Sequence, residues 1–569
     1  MSDSPSSGAE SEDSANTSRS LARSSALMAS GTFVSRLLGL VRVALLVGVI
    51  GTTASANAWE TANTLPNTIY LLLAGGILNT VFVPQLTRSL SRADKGRDLT
   101  DRLITLTLVA LLVTTVIVTA GAYLVTKLYA LDWSGPQLAL AVAFAYLCLP
   151  QVFCYGLYAV LGQILNAQEK FGWYMWAPVA NNIVAITGLV IFSVRYSGTT
   201  VLEPSGWSTG MVLLLGGTAT LGVLVQAAVL IPPVVASGFR YRPRWGFRGV
   251  GLGAASRMAK WTVAIILVSQ AGLLASTNLL NSVTDDYPDV AGRAVFNYAF
   301  LIFILPHSLV ATSLLTAMFP ALSRAAAADD REALGRQYGH GLRLLATAMV
   351  PVSVGVLILA PQIAAVILIF SGAEATGPIA DVVRALVLGL VPYGIYLLSQ
   401  RVFHAYQEGR PPFRLQSTIT TITVVFLGLA LLLPPEMTAI IVGLGQSAGQ
   451  AVAAVLAVVW VRRRIGGVPI GAVRTTYLRA LAASLLAAIP LIGVVLAGDR
   501  LLDGKFAALV VLVIGGVVFF GLYGVLAHRF GLREITDVLD PLLRRLGRGR
   551  TRPPQDPPPA PSARPGPSA

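Results

Sequence analysis

Of 569 residues, 54% are hydrophobic and 12% charged, and the mean hydropathy of +0.70 excludes a water-soluble globular chain, in which roughly 45–50% apolar and 25% charged residues are usual. A formal charge of +15 suits a nucleic-acid binder, but it suits equally a polytopic membrane protein whose cytoplasmic loops collect Lys and Arg. Where the basic residues lie decides between the two.

Residues 1–24, rich in Ser, Asp and Glu, lack the basic start and small-residue cleavage site of a signal peptide and are expected to form a disordered cytoplasmic tail. Apolar segments long enough to cross about 30 Å of hydrocarbon then follow near 25–50, 58–86, 103–126, 137–165, 173–194, 211–236, 261–283, 295–322, 344–369, 378–406, 415–433, 438–461, 480–498 and 506–527. Fourteen spans put both chain ends on one side. With odd connections on the far side, the only basic residues there are Lys127, Arg195, Arg293, Arg500 and Lys505, and Arg36, Arg42, Arg384 and Arg401 lie within spans. All the rest of the 42 Lys and Arg fall on the side of the termini, which predicts that side to be cytoplasmic. The basic linker 237–260, with "FRYRPRWGFR" at 239–248, thereby reads as a cytoplasmic loop, and no nucleic-acid partner is expected. That linker and "RRLGRGRTR" at 544–552 are placed to touch anionic membrane lipids. The tail 528–569 is basic and then Pro-rich, a disordered composition.

The chain also repeats itself. Tyr155, Gly156, Tyr158 and Ala167 recur as Tyr393, Gly394, Tyr396 and Ala405 at a constant offset, and "LPN" at 65–67 with "FVPQLTR" at 82–88 echoes "LPH" at 305–307 with "MFPALSR" at 318–324. Each repeat holds six spans, an even number, so the halves 25–236 and 261–461 share one orientation and should be related by an axis along the membrane normal. The predicted fold is an all-α polytopic membrane protein of about 14 transmembrane helices: two parallel six-helix repeats plus two extra C-terminal helices within 462–527. Two bundles facing each other is a transporter plan.

"FVSRLLGLVRVALL", residues 33–46, sets Arg36 and Arg42 in the first span. An arginine at the centre of a span costs about 2.5–3.5 kcal/mol on insertion scales, and the two are roughly 9 Å apart along the axis, too far for both to reach headgroups. At least one should face a wet cavity, where a guanidinium suits bidentate binding of phosphate. Glu60 shares a helix face with Asn57 and either pairs with an arginine or is protonated during transport. Asn63, Asn67, Asn79, Asn181 and Asn182 can hydrogen-bond a substrate or join helices. Pro66, Pro84, Pro150, Pro306, Pro320 and Pro392 should kink or break their helices, Asp381 and Arg384 should pair locally, and Arg401 can reach the interface. Cys148 and Cys154 point about 120° apart on a helix and read as packing residues. The four histidines lack metal-ligand spacing, so no metal or cofactor is expected.

The stretches "SGTFVSRLLGLVRVALL", "NTLPNTIYLLLAGGILNTVFVPQL" and "YGLYAVLGQILNAQEKFGWYMWAPVANN", with the fourteen-span plan, resemble the MurJ/MviN family of bacterial lipid II flippases, within the multidrug/oligosaccharidyl-lipid/polysaccharide exporter superfamily. The resemblance runs from about residue 22 to 530. It implies two six-helix lobes around a central cavity, a lipid-tail groove on the two extra helices, and transport of the undecaprenyl-linked peptidoglycan precursor between leaflets for cell-wall biogenesis and cell shape. It also implies that Arg36 and Arg42 engage the precursor's diphosphate. Many members carry an acid at Asn57, an arginine at Tyr70, a glutamate at Gly75 and an arginine at Leu301, and carboxylates in the seventh and eleventh spans where this chain has none. Transfer of residue roles is therefore limited to Arg36 and Arg42, and the candidate substrate-binding set is completed from the residues themselves by Asn57, Glu60 and Asn67. A related exporter of drugs or of another polyprenyl-linked saccharide, and a scaffold recruiting cell-wall synthesis proteins, are the competing readings. An enzyme is disfavoured, because no paired carboxylates or His/Asp constellation stand at membrane depth.

Overall fold

The computed structural model describes residues 30–73, 96–168, 170–196, 203–246, 256–287, 290–370, 376–502, 506–532 and 534. The predicted tails, Gly75, Asn79 and Pro84, and part of the basic linker lie outside these residues. All regular secondary structure among the described residues is helical. In chain order the helices are α1 (Ser30–Ile50), α2 (Ala54–Leu73), α3 (Gly96–Ala120), α4 (Ala122–Tyr129), α5 (Gly135–Cys148), α6 (Gln151–Ala167), α7 (Phe171–Arg195), α8 (Thr209–Ala228) and α9 (Ile231–Ala236), then α10 (Ser256–Asp286), α11 (Arg293–Pro306), α12 (Thr312–Ala327), α13 (Arg331–Ile367), α14 (Thr376–Val387), α15 (Leu390–Ala405), α16 (Arg410–Ala430) and α17 (Thr438–Ile465), and finally α18 (Ile470–Leu501) and α19 (Ala507–Arg529).

Among the described residues twelve spans are long and apolar enough to cross a bilayer, and α14 with α15 makes a thirteenth, bent by 42°. The fourteenth expected span is α2, described only to Leu73. It is the polar helix of the bundle: it carries Asn57, Glu60, Asn63 and Asn67, and its N-terminal half, Ser55 to Ala62, is buried. Polar side chains are tolerated there because they face other helices instead of lipid. The helix begins at Ala54, four residues earlier than expected, so Glu60 sits in its second turn.

Proline accounts for the breaks, since it removes one backbone donor and clashes with the preceding turn. Pro150 separates α5 from α6, and Pro306 ends α11 at a wide π-type turn, His307–Ala311. The α14–α15 break lies just before Pro392, and each interruption frees carbonyls that need donors. Thr220 Oγ1 donates to Leu147 O at 2.6 Å in the first half, and Ser447 Oγ donates to Ala385 O at 2.7 Å in the second. Leu147 and Ala385 are separated in the sequence by the same interval as Tyr155 and Tyr393. The donor helices approach the two breaks through glycines at matching positions: a Cβ on Gly216 would stand 2.7 Å from Leu147 Cδ1, and one on Gly443 would stand 3.2 Å from Ala385 Cβ. The repeat is therefore a repeat of backbone breaks and of the hydroxyls that satisfy them.

The extra pair, α18 and α19, packs on α13. Ala480, Ala483 and Ala487 form a small-residue stripe along α18 that lets the helices approach closely, and Phe519 fills the space beside Leu359. Tyr523 OH donates to Thr347 O at 2.8 Å. Beyond α19, Glu534 receives Arg343 Nε at 2.6 Å and ties the chain back to α13.

Candidate functional site

Two cavities lie side by side with Leu301 in the wall of both. The first, about 360 Å³, is bordered by α1, α6, α7 and α11. Ser35, Arg36, Gly39, Arg42 and Val43 line it from one stripe of α1, because residues three and four apart share a helix face. Asn182 fixes that stripe, donating to Ser35 O at 2.8 Å and to Ser35 Oγ at 3.3 Å. Tyr158 and Tyr174 form the opposite wall, stacked at 4.7 Å between centroids, with Tyr158 OH donating to Tyr174 O. Neither Arg36 nor Arg42 has a carboxylate within 4.0 Å among the described residues. Two guanidiniums lining one cavity, with no carboxylate on either among the described residues, are chemically suited to an oxyanion.

The second cavity, about 710 Å³, lies among α2, α10, α11, α15, α16 and α17. Tyr396, the repeat partner of Tyr158, stands in its wall. Where α1 offers arginines to the first cavity, α10 offers Ser269, Gln270 and Ser276 to the second. Gln400 Nε2 donates to Tyr396 OH, which donates to Gln416 Oε1 at 3.1 Å, and Gln416 Nε2 reaches Thr420 Oγ1 at 3.4 Å. The polar part of the lining is thus mostly amide and hydroxyl groups, which both donate and accept, set among apolar side chains such as Phe296, Phe300 and Ile419. Among the described residues, Glu60 and Arg293 are the only charged ones in it.

Seven hydrogen bonds join the two halves among the described residues, and all lie at the end of the bundle where α1 finishes. Asn278 Nδ2 donates to Leu128 O while its Oδ1 accepts from Leu131 N. Asn281 Nδ2 donates to Tyr129 O at 2.9 Å and Thr61 Oγ1 at 3.2 Å, and its carbonyl accepts from Trp133 Nε1. Asn57 Oδ1 accepts from Ala294 N at 2.8 Å, and Glu60 Oε2 accepts from Asn297 Nδ2. Asn57 faces Ala294 as Glu60 faces Asn297, so α2 and α11 run parallel with near-equivalent residues side by side. The repeat axis passes between them.

The five sequence candidates are therefore divided. Arg36 and Arg42 share the first cavity and Glu60 and Asn67 the second. Asn57 lines neither and is buried as an inter-helix tie. Sequence reasoning missed Arg293, which it placed in an outer connection; it is the first residue of α11, 4% exposed, with its Nε unpartnered. Glu60 and Arg293 line the second cavity from α2 and α11, and no ion pair within 4.0 Å joins them. One signal could have found Arg293: it is among the few basic residues on the wrong side of the charge bias. Asp381 and Arg384 do pair, at 2.9 Å, and the Arg401 guanidinium lies over the Phe319 ring.

Residues 46–514 match the family described as lipid II flippase MurJ. The chain is 27% identical over 355 residues to a probable lipid II flippase MurJ of Vibrio cholerae, covering 60% of this chain and 64% of that one. It is 28% identical over 404 residues to a probable lipid II flippase MurJ of Synechocystis sp., covering 70% and 74%. A solved structure, "Lipid II flippase MurJ, inward closed conformation", has the same fold, with a TM-score of 0.66, 20% identity, and coverage of 88% of this chain and 99% of that one.

Proposed function

The chain belongs to the lipid II flippase MurJ family, and we propose that it moves lipid II, the undecaprenyl-linked peptidoglycan precursor, from the cytoplasmic to the outer leaflet. It is a multi-pass bacterial membrane protein, and transport of this kind needs no catalytic residue. One observation carries the reading: Arg36 and Arg42 border a cavity between the repeats with no carboxylate on either among the described residues, and the phosphates of a diphosphate suit such a pair. A charged, sugar-bearing headgroup cannot cross bare hydrocarbon, so the cavities replace its water with fixed donors while its tail stays in lipid. Asn67 and the amides of the second cavity would meet the neutral parts of the headgroup.

Both termini are assigned to the cytoplasm by the charge bias. The end where the seven inter-half bonds lie is then extracytoplasmic, and this conformation is sealed outward. Alternating access breaks that seal as the halves rock about the α2–α11 axis. The basic strap Tyr241–Gly246, held to α3 by Asp98 and Thr105 with Trp245 exposed, is placed to contact anionic lipid.

The test is depletion of the protein in its host while following which leaflet holds the precursor. Retention on the cytoplasmic side, not rescued by Arg36→Ala or Arg42→Ala at normal protein levels, is the expected result. Rescue by both variants would remove the arginines from the mechanism.

A further inference from the structure

Glu60 and Arg293 are the charged residues that an oxyanion site in the first cavity leaves unused. Both line the larger cavity, and each is only 4% exposed. A charge withdrawn from water requires compensation, yet no ion pair within 4.0 Å joins the two. Asn297 Nδ2 donates to Glu60 Oε2, while Arg293 Nε has no hydrogen-bond partner. Their spacing follows from the ties between α2 and α11. Asn297 lies four residues after Arg293 on α11, so the two share a helix face. The Glu60 carboxylate that Asn297 holds therefore stands one helical turn, roughly 6 Å along the axis, from the level of Arg293. That interval is too wide for direct contact and suits a bridging group.

We propose that Glu60 and Arg293 form a second subsite, which takes a zwitterionic amino-acid group: a free ammonium on Glu60 and, from the same carbon, a free carboxylate on Arg293. The inference rests on the flippase reading only for the carrier of that group, the peptide of the precursor's headgroup. An ammonium and a carboxylate on one carbon, with a hydrogen bond at each end, span up to about 8 Å between the two protein groups. A lone anion would satisfy Arg293 but be repelled by Glu60, and a lone cation would meet the reverse. A group carrying both charges compensates each residue and adds no net charge to a buried place. Glu60 comes from the first half and Arg293 from the second, so the bridged group is held beside the repeat axis, where rocking displaces residues least. The cavity, about 710 Å³, leaves room around it for neutral parts of the headgroup against the glutamines.

The test is binding to the full-length protein in lipid nanodiscs, with empty nanodiscs subtracted. Three probes are compared: S-farnesylcysteine, which carries both charges, its N-acetyl derivative, which lacks the ammonium, and its methyl ester, which lacks the carboxylate. Wild type should bind S-farnesylcysteine about tenfold more tightly than either derivative, the worth of one charge-assisted hydrogen bond. Glu60→Gln should lose the preference over the N-acetyl form and keep that over the ester; Arg293→Gln should do the reverse. Equal binding of the three probes by wild type, or none above empty nanodiscs, overturns the proposal, and that comparison needs no variant to fold. Variants that weaken all three probes by one common factor would show a purely structural pair and overturn it as well. Arg36→Ala/Arg42→Ala should keep the preference among these probes while losing affinity for farnesyl diphosphate. Undiminished diphosphate binding in that variant would sink the flippase reading of the first cavity and leave the amino-acid subsite standing.

Discussion

Replacing Asn281 by alanine removes two of the bonds that seal the halves, those from Nδ2 to Tyr129 O and to Thr61 Oγ1, while the bond accepted by its own carbonyl from Trp133 remains. Each lost bond contributes about 0.5–1.5 kcal/mol net. In the sealed state the Tyr129 carbonyl is left without its partner, whereas in the opened state water reaches it, so the penalty falls on one conformation only. A shift of about 2 kcal/mol is a change of roughly 30-fold in the ratio of opened to sealed protein. Thr64 lines the larger cavity one turn past Glu60, so a cysteine there meets an external reagent only through an open seal. In Thr64→Cys protein with Cys148 and Cys154 replaced, a membrane-impermeant maleimide applied from outside should label at least tenfold faster once Asn281→Ala is added. Asp381→Ala, which breaks a half-exposed pair that makes none of the seven inter-half bonds, should leave the rate unchanged. Equal labelling with and without Asn281→Ala, in protein of normal abundance and thermal stability, would show that these bonds do not hold the outer face shut.

Gly292→Ala should open the same seal by sterics, because its Cβ would lie 2.2 Å from Thr284 Cγ2 and 3.0 Å from Asn57 Nδ2; the Thr64→Cys labelling rate should rise as it does for Asn281→Ala. Ser447→Ala takes the side-chain donor from the Ala385 carbonyl, while Leu386 O keeps the Gly389 amide, and Thr220→Ala takes it from Leu147; each should cost about 1–3 kcal/mol and lower the melting temperature of the purified protein by similar amounts, as the repeat requires. The Arg244 and Arg102 guanidiniums hold the Asp98 carboxyl below the usual carboxylate range, so the strap stays attached at neutral pH and loosens only as pH falls through that lowered value. Asp98→Asn should loosen it at pH 7, seen as faster tryptic cleavage after Arg240 and Arg244.

Most of the fold is legible in the sequence, because a membrane removes the alternatives. Spans must be helical and long enough, and the side that collects arginine is marked. The Tyr155/Tyr393 repeat is legible for a similar reason: it records a backbone break that both halves need. What the sequence hid depends on long-range packing. Asn57 and Glu60 share a face, as expected, but that the face meets Ala294 and Asn297 is a property of the axis between the halves. Arg293 was hidden because basic residues near a span end are usually solvated, and only the burial of α11 against α2 makes this one interior. The second cavity's glutamines come from four helices and have no spacing to recognise.

The two halves keep one backbone frame and differ in what they turn inward. Thr220 and Ser447 serve equivalent carbonyls, and Tyr158 and Tyr396 stand in equivalent walls, yet α1 presents Arg36 and Arg42 where α10 presents Ser269, Gln270 and Ser276. Symmetric cation pairs would hold an anion across the axis, and every rocking motion would have to break one of the two grips. With the principal cations on a single half, a phosphate can stay bound to that half while the seal at Asn278, Asn281 and Asn297 is broken. The neutral half makes many hydrogen bonds that exchange readily with water, so it can follow a sugar-bearing group without trapping it. On the proposed function, asymmetry of charge on a symmetric frame would separate holding the cargo from moving the lobes. Placing a second arginine pair on α10, as in Ser269→Arg with Ser276→Arg, should strengthen diphosphate binding and slow transport together. Faster transport in that variant would show that grip by one half is not what the asymmetry serves.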